Sequence, residues 1–220
     1  MRPLVILRPE PGAGRTAARA TELGLAPRCI PLFDARPLAW TPPDPADFDV
    51  LLMTSAQAAR LAGPDLARYR ALPTYAVGPA TAAAMAEQGL VPTGVGEDDG
   101  AMIAARIAAD GHRRVLHLAG SVAAPFDRGP LHVRRVPVYT MVETTASLPP
   151  LPPGAVLLVH SPRAGARLAA LIDAEARAGL HIVAISEAAR TAAGAGWASA
   201  HAVALPQDDA MLALAVRLCD

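Results

Sequence analysis

The chain has 220 residues, of which 52% are hydrophobic but only 4% aromatic, so Ala, Val, Leu and Ile must build its core. Its 20 basic and 20 acidic residues balance, so net charge indicates neither nucleic acid nor an anionic membrane as a partner. Every basic residue is Arg, and this excludes chemistry that needs a lysine, such as Schiff-base formation or phosphate binding by a P-loop.

The chain opens with Pro3–Arg8, a short apolar segment that is typical of a buried parallel strand. A turn rich in Pro and Gly follows, and a helix is predicted over residues 15–23. The glycines of Gly12–Ala17 match a loose dinucleotide-binding pattern, so a nucleotide-dependent oxidoreductase is one alternative. Pro9 and Pro11 argue against it, because they separate the glycines from the end of the strand.

Two extended segments, Arg28–Leu38 and Leu131–Glu143, are predicted to leave and re-enter the first of two lobes. Pro31 and Pro37 make the first an edge strand, since proline cannot donate to a central ladder. The second is expected to run antiparallel to it. The predicted organisation is a discontinuous first lobe of residues 1–36 and 142–220, a second lobe of residues 37–131, and crossing strands at residues 28–40 and 131–143.

Strands and helices alternate elsewhere in the chain. This alternation predicts an α/β fold with two similar lobes, each an open, mostly parallel sheet flanked by helices, joined by a two-stranded extended linker. The second lobe is predicted to contain strands Val50–Met53, Thr74–Val77 and Arg114–Leu118, helices from about residues 55, 80 and 100, and a turn or helix around Pro125. Strand–helix units Ala155–Leu171, Ile182–Ala193 and His201–Leu218 are predicted to complete the first lobe.

Three sequence echoes at a nearly constant offset favour an internal duplication. The paired acids that open the last of these echoes are interpreted as helix caps. Val50–Leu61 is echoed by Ala155–Leu171, Tyr75–Ala84 by Val183–Ala193, and Asp98–Ile103 by Asp208–Leu212.

Cys29 and Cys219 lie far apart in the sequence, and the six histidines are scattered, so no metal site is predicted. Cysteine usage of this kind indicates a reduced, cytoplasmic protein. The apolar run at residues 4–7 is too short for a signal peptide, and no stretch approaches the ~20 apolar residues of a membrane span.

Ligands of open parallel sheets bind outside the carboxyl ends of the strands, where the next helix begins. Ser55, Gly78, Ser161 and Ser186 stand at such positions. Free N–H groups and the helix dipole favour anions there, so a cleft between the lobes is expected to bind a ligand with several carboxylates. Each serine alone is explained more simply as an N-cap, and the two roles are compatible. Tyr139 has no counterpart in the repeat and is either a packed edge-strand tyrosine or part of the site.

Six motifs stand in order along the chain: Leu7-Arg8-Pro9, Met53-Thr54-Ser55, Ala76–Thr81, Val138-Tyr139-Thr140, Val159-His160-Ser161-Pro162, and Ala184–Glu187 followed by Gly196-Trp197. In order, spacing and coverage they resemble the uroporphyrinogen-III synthase family over nearly the full length of the chain. One departure is Leu118-Ala119-Gly120-Ser121, where the family often has Leu-Arg-Gly followed by basic residues, so one arginine contact to the substrate is missing from its expected place.

The resemblance implies a cofactor-free, cyclising hydro-lyase of tetrapyrrole and heme biosynthesis. Its substrate would be hydroxymethylbilane, which loses its terminal hydroxyl as water to give an azafulvene and then closes through a spiro intermediate with ring D inverted. The resemblance implies that Tyr139 assists loss of the hydroxyl. It implies carboxylate binding at Arg8, Thr54, Ser55, Gly78, Thr81, Ser161 and Ser186.

For partners, we expect a monomer that makes at most transient contact with porphobilinogen deaminase. The alternative from another functional class is a two-lobed binding or sensor protein for an anionic ligand. It is kept because the sequence has no conventional catalytic constellation, such as a G-x-S-x-G elbow or a metal-spaced histidine pair. Turnover of the ligand distinguishes the enzyme from the sensor.

Overall fold

The computed structural model describes residues 1–97, 99–123, 125–144 and 148–220. The chain forms two compact units: unit 1 comprises Met1–Asp34 and Val142–Asp220, and unit 2 comprises Ala35–Met141. Within the described ranges, the helices are too short or too polar to cross a membrane.

Strands and helices alternate through both units, as the sequence predicts. The strands are β1 (Leu4–Ile6), β2 (Pro27–Cys29), β3 (Phe33–Pro37), β4 (Val50–Met53), β5 (Thr74–Ala76), β6 (Pro92–Val95), β7 (Arg114–Gly120), β8 (His132–Glu143), β9 (Val156–Val159), β10 (His181–Ala184) and β11 (Ser199–Ala202). The α-helices are α1 (Gly12–Glu22), α2 (Ala56–Leu61), α3 (Pro79–Glu87), α4 (Gly100–Ala109), α5 (Pro162–Leu171), α6 (Ala174–Arg177), α7 (Glu187–Ala192) and α8 (Asp208–Cys219).

Unit 1 contains a five-stranded parallel sheet in the order β11-β10-β9-β1-β2. Its central strands, β1 and β9, are runs of Leu, Val and Ile with at most 1% of any residue exposed. Such continuous apolar strands are typical of a parallel sheet covered by helices on both faces.

Unit 2 contains a six-stranded sheet in the order β3-β8-β7-β4-β5-β6, and β4 to β8 pair in parallel. The Leu38 amide donates to the Val138 carbonyl and the Thr144 amide to the Leu32 carbonyl, so these two segments run in opposite directions. The order β6-β5-β4-β7-β8 repeats the order β11-β10-β9-β1-β2 of unit 1. The predicted fold class is therefore confirmed, and the matching strand orders support the duplication.

The segment Arg28–Leu38 is two strands rather than the single strand predicted. Its first part, β2, pairs with β1, whereas its second part, β3, lies beside β8 in the other sheet. The break falls at Ile30–Leu32, although the Ile30 and Leu32 amides still donate to the Ile6 and Leu7 carbonyls. Pro31 has no N–H to offer to a further strand at the free edge of the sheet.

Helix α1 begins at Gly12 and not at residue 15. Its first turn is completed early, because the Ala13 amide donates to the Pro9 carbonyl and the Gly14 amide to the Glu10 carboxylate, at 3.0 and 2.9 Å. The described residues around Pro125 contain no helix: residues 121–122 form a bend, residues 129–130 form a turn, and residues 123 and 125–128 are irregular. Strand β6 and helix α6 were not predicted, nor were two 3₁₀ helices at Pro45–Asp47 and Pro64–Tyr69.

Candidate active site

In unit 2 the strand order reverses between β4 and β7, since the chain proceeds from β4 outward through β5 and β6 but from β7 in the other direction to β8. Open α/β sheets bind ligands at such a reversal, outside the carboxyl ends of the strands. A cavity of ≈ 470 Å³ opens there, within the usual size range of ligand pockets. Its wall includes Thr54, Ser55, Val77, Gly120, Phe126 and Tyr139.

Tyr139 and Ser55 meet at this cavity although they are 84 residues apart in the sequence. The Tyr139 hydroxyl donates to Ser55 Oγ at 3.0 Å. Ser55 is also the N-cap of α2, and its Oγ accepts from the Gln57 amide at 3.2 Å. Ser55 therefore caps a helix, as the sequence predicts, and contacts the tyrosine at the same time.

Gly120 makes room for the tyrosine ring. The register of β7 against β8 shifts between Ala119 and Gly120, which places Gly120 opposite Tyr139. A Cβ atom on Gly120 would lie 2.9 Å from Tyr139 Cζ and 3.0 Å from its hydroxyl oxygen, closer than van der Waals contact. Only glycine lets the ring lie against the strand in this position.

Thr54 lies beside Ser55 and bonds to a buried histidine. Its Oγ1 is 2.9 Å from Nε2 of His117, which is 2% exposed on β7. Burial, followed by the nearby charges of Arg135 and Arg128, lowers the pKa of His117 to about 4, so the ring is neutral at physiological pH. A neutral ring can fix the direction of the Thr54 hydroxyl without bringing a charge into the cavity wall.

An arginine does reach the segment Leu118-Ala119-Gly120-Ser121, where the sequence resemblance leads us to expect one. Arg135 extends from β8, and its Nη2 donates to the carbonyl of Gly120 and, at 2.7 Å, to that of Ser121. The guanidinium on β8 therefore stabilises the carboxyl end of the neighbouring strand β7 by hydrogen bonds to its backbone.

Gly78 and Thr81 are not brought into this cavity wall. Gly78 is the N-cap residue of α3, with an extended backbone and no side chain to bond the helix amides. Thr81 lies in the first turn of α3 and is only 4% exposed, so its hydroxyl does not face solvent.

Unit 1 carries a polar cluster at its own reversal of strand order, between β1 and β9. Arg8 follows β1, and its Nη1 lies 2.8 Å from both carboxylate oxygens of Asp208. Thr16 donates to the same carboxylate at 2.6 Å. His160 follows β9, and its buried Nε2 lies 3.2 Å from Asp208 Oδ1 but is not aligned for a hydrogen bond.

Asp208 is the first residue of α8 and not its cap, which corrects the sequence interpretation. Burial alone would raise the pKa of Asp208, but His160, Thr16 and the charge of Arg8 outweigh that effect and hold it well below its usual range. The carboxylate therefore remains ionised and paired with Arg8. Of the corresponding acids in the other echo, Asp98 lies outside the described residues, and Asp99 caps α4 by accepting from Ala101 and Met102 amides.

Ser161 and Ser186 are N-caps of α5 and α7. Ser161 Oγ accepts from the Ala164 amide at 3.1 Å, and Ser186 Oγ from the Ala189 amide at 3.2 Å. Arg8, Ser161 and Ser186 belong to unit 1, whereas Thr54, Ser55, Gly78, Thr81 and Tyr139 belong to unit 2.

The dinucleotide alternative receives no support at the start of α1. A Cβ on Gly12 would meet the Arg8 guanidinium at 2.4 Å, so that side chain covers the glycine. The Gly14 amide already donates to the Glu10 carboxylate, which would repel a pyrophosphate. A search of the described residues for His, Cys, Asp and Glu clusters of metal-binding geometry finds none.

Tyr139, Ser55 and Thr54, which are named from the sequence, all line this cavity. The sequence analysis does not name His117, Gly120 as the residue against which the Tyr139 ring lies, or Asp208 as the partner of Arg8. A signal for His117 was available, because it interrupts the apolar strand Val115–Ala119. No local signal exists for Asp208, which is 200 residues from Arg8.

A family model described as uroporphyrinogen-III synthase HemD matches residues 14–213. No match is found among curated proteins. The chain is similar to the crystal structure of uroporphyrinogen-III synthetase from Helicobacter pylori 26695, with 16% identity, a TM-score of 0.69, and 99% of this chain and 100% of that chain covered. A mutant uroporphyrinogen III synthase from the extremely thermophilic bacterium Thermus thermophilus matches with 15% identity, a TM-score of 0.46 and 98% of each chain covered. At this identity the likeness to the Helicobacter pylori structure shows the fold alone.

Proposed function

Because the chain belongs to the uroporphyrinogen-III synthase family, the cyclising lyases of tetrapyrrole and heme biosynthesis, we propose how its residues serve that reaction. Tyr139 assists departure of the terminal hydroxyl of hydroxymethylbilane as water. The azafulvene that forms is attacked by ring D at its substituted carbon, and the spiro intermediate reopens and closes with ring D inverted. The observation that carries this proposal is the Tyr139–Ser55 pair at the unit 2 cavity.

Orientation is the main task of such an enzyme. The free substrate closes spontaneously without inversion, so the protein must hold the reactive cation and ring D in the geometry of the inverting path. Positioning and fixed dipoles supply this kind of rate enhancement, and no conventional nucleophile is needed.

We assign the carboxylates of the substrate to hydroxyl groups and helix amino termini. Thr54 would bind a carboxylate by side chain at the unit 2 cavity, and Ser55 would contact the substrate there through its hydroxyl. The Gly78 amide would bind a carboxylate by backbone at the start of α3. In unit 1, Ser161 and Ser186 open α5 and α7. A hydrogen bond to a charged group contributes about 1.5–3 kcal/mol, so several weak contacts suffice without a basic surface. Thr81, buried in α3, and Arg8, paired with Asp208, are the least supported members of this set.

We further propose that the protein acts as a cytoplasmic monomer. Cys29 and Cys219 are both free thiols, as expected in a reducing compartment. Because hydroxymethylbilane closes by itself, transient contact with porphobilinogen deaminase would shorten the time in which substrate is lost. Gel filtration with and without that enzyme tests both proposals.

A coupled assay tests the proposed reaction. Porphobilinogen deaminase supplies hydroxymethylbilane, and the products are oxidised to porphyrins and resolved by isomer. We expect isomer III with this protein and isomer I without it. Isomer I in both reactions, with folded protein, would refute the function and favour a binding protein for an anionic ligand.

Tyr139→Phe tests the role of the tyrosine within that assay. The substitution removes only a hydroxyl, so we expect a folded protein whose kcat for isomer III falls about 10²-fold, the lower end of general acid–base contributions. Circular dichroism and thermal unfolding serve as the folding control. An unchanged kcat would remove Tyr139 from the mechanism and leave the fold assignment intact.

A further inference from the structure

The hydrogen bonds of Ser55 fix the direction of its own proton. A serine oxygen has two acceptor positions and one donor. Both acceptor positions are occupied, one by the Gln57 amide at 3.2 Å and the other by the Tyr139 hydroxyl at 3.0 Å. No acceptor for the Ser55 proton is found among the described residues, and the side chain borders the cavity. The Ser55 proton therefore has no partner among the described residues and is available to a molecule in the cavity.

The tyrosine proton has the opposite disposition. Tyr139 donates its proton to Ser55, so in this geometry it has no proton to give directly to a group in the cavity. A proton delivered to a group in the cavity must then come from the Ser55 hydroxyl. The Tyr139 hydroxyl can replace that proton, because it already donates to Ser55 Oγ.

We propose that Ser55 is a catalytic residue that relays a proton from Tyr139 to the leaving hydroxyl of the substrate. This inference rests on the proposed function and deepens it. As the C–O bond breaks, its electron pair stays on the oxygen, which takes the Ser55 proton and departs as water. Ser55 takes the Tyr139 proton at the same time, which leaves a phenolate and a cationic azafulvenium.

Charge and atoms balance in this step. One neutral hydroxymethyl pyrrole and one neutral phenol become water, an azafulvenium cation and a phenolate anion. The two opposite charges form together at one site, where their attraction offsets part of the cost of separating them. The proton that the pyrrole loses in the last ring closure returns through Ser55 to Tyr139 and restores the starting state.

The duplication provides an internal comparison for Ser55. Ser161 occupies the equivalent place in unit 1 and likewise caps its helix, but within the described chain its Oγ accepts only from the Ala164 amide. All three tyrosines of the protein belong to unit 2, and the other two, Tyr69 and Tyr75, bond to Pro43 and Asp110. Ser161 therefore serves as an example of a capping serine that can bind a carboxylate but has no tyrosine to supply a proton. Of the two serines, Ser55 alone has the contact that a relay requires.

The test is a double-mutant cycle on kcat and KM for isomer III, measured in the coupled assay. Ser55→Gly removes the hydroxyl, and glycine is itself a favourable N-cap residue, so folding is preserved. Tyr139→Phe and the double variant complete the cycle, and Ser55→Thr restores a hydroxyl. Ser161→Gly is the matched comparison. Asp173→Ala is a capping control, because Asp173 caps α6 and does not line the unit 2 cavity.

We expect Ser55→Gly and Tyr139→Phe each to lower kcat about 10²-fold, and the double variant to be no slower than the slower single variant, because both remove one relay. Ser55→Thr should recover at least tenfold of the loss, Ser161→Gly should raise KM with a much smaller fall in kcat, and Asp173→Ala should match the parent protein.

Multiplicative losses in the double variant would overturn the relay, as would a kcat for Ser55→Gly within threefold of the parent. In either case the parent protein would still form isomer III, so the proposed function would stand. Only isomer I from the parent protein would refute the proposed function itself.

Discussion

Replacing Gly120 with alanine adds a single methyl group beneath the ring of Tyr139, for which we propose a catalytic role. The new Cβ would lie 2.9 Å from Tyr139 Cζ and 3.0 Å from its hydroxyl oxygen. Carbon atoms prefer separations of about 3.5–4.0 Å, so the ring must move by roughly 0.5–1 Å. The hydroxyl begins 3.0 Å from Ser55 Oγ, and a shift of that size takes the pair out of hydrogen-bonding range.

The expected consequence is a catalytic defect larger than the stability defect. A displacement of about 1 Å in a catalytic group can cost about 10²-fold in rate. Tyr139 is only partly buried, so its ring can give way, and the free energy of unfolding should fall by no more than about 1 kcal/mol. The coupled assay gives the rate, and urea denaturation gives the stability.

Gly94→Ala is the matched control for this experiment. Its Cβ would lie 2.6 Å from Cδ1 of Tyr75, a tyrosine in the same sheet that is 1% exposed and does not border the cavity. That ring cannot move freely, so we expect a loss of about 1–3 kcal/mol in stability while the folded protein keeps its rate. A Gly120→Ala protein that turns over at the parent rate would show that the position of the Tyr139 ring does not limit catalysis.

Two further substitutions probe the buried histidine and the Arg8 cluster. The pKa of folded His117 is about 4 against 6.5 when unfolded, so the unfolded chain binds the extra proton and stability falls as pH drops between these values. We expect a loss of about 2 kcal/mol between pH 7 and 5 in urea denaturation, which His117→Gln should largely abolish; an unaltered pH dependence in that variant would contradict the assignment. Asp208→Asn leaves the Arg8 charge without its anion and should lower the free energy of unfolding by about 1–3 kcal/mol. The control is Asp209→Asn at an exposed carboxylate, which should change the free energy of unfolding by less than about 0.5 kcal/mol. Equally small effects of the two substitutions would show that the Arg8–Asp208 pair contributes nothing to stability.

Arg8 shows that the position of a residue in a motif does not reveal whether its side chain is already paired. The sequence places an arginine after a buried strand, where a cation could meet a carboxylate. In the structure Arg8 already has a carboxylate, supplied by Asp208 from the first turn of α8. A substrate carboxylate would have to share Arg8 with this internal anion, which makes it a weaker candidate than the hydroxyl groups of unit 2.

The sequence by itself determined the fold class and most of the strand–helix units. Buried parallel strands are written as short apolar runs, and the serines at Ser55, Ser161 and Ser186 mark helix starts by capping chemistry that acts within three residues. The same local signals occur twice at a nearly constant offset. The duplication could therefore be inferred by comparing the sequence with itself.

Only the tertiary structure decided which residues meet. The Tyr139–Ser55 bond depends on the order of β8, β7 and β4 in the sheet and on a one-residue register shift at Gly120. His117 reaches Thr54 because neighbouring parallel strands bring distant residues side by side. Such contacts are set by strand order and register, which no local pattern of residues encodes. Which polar groups of the site contact one another is therefore determined by the order and register of the strands in the sheet.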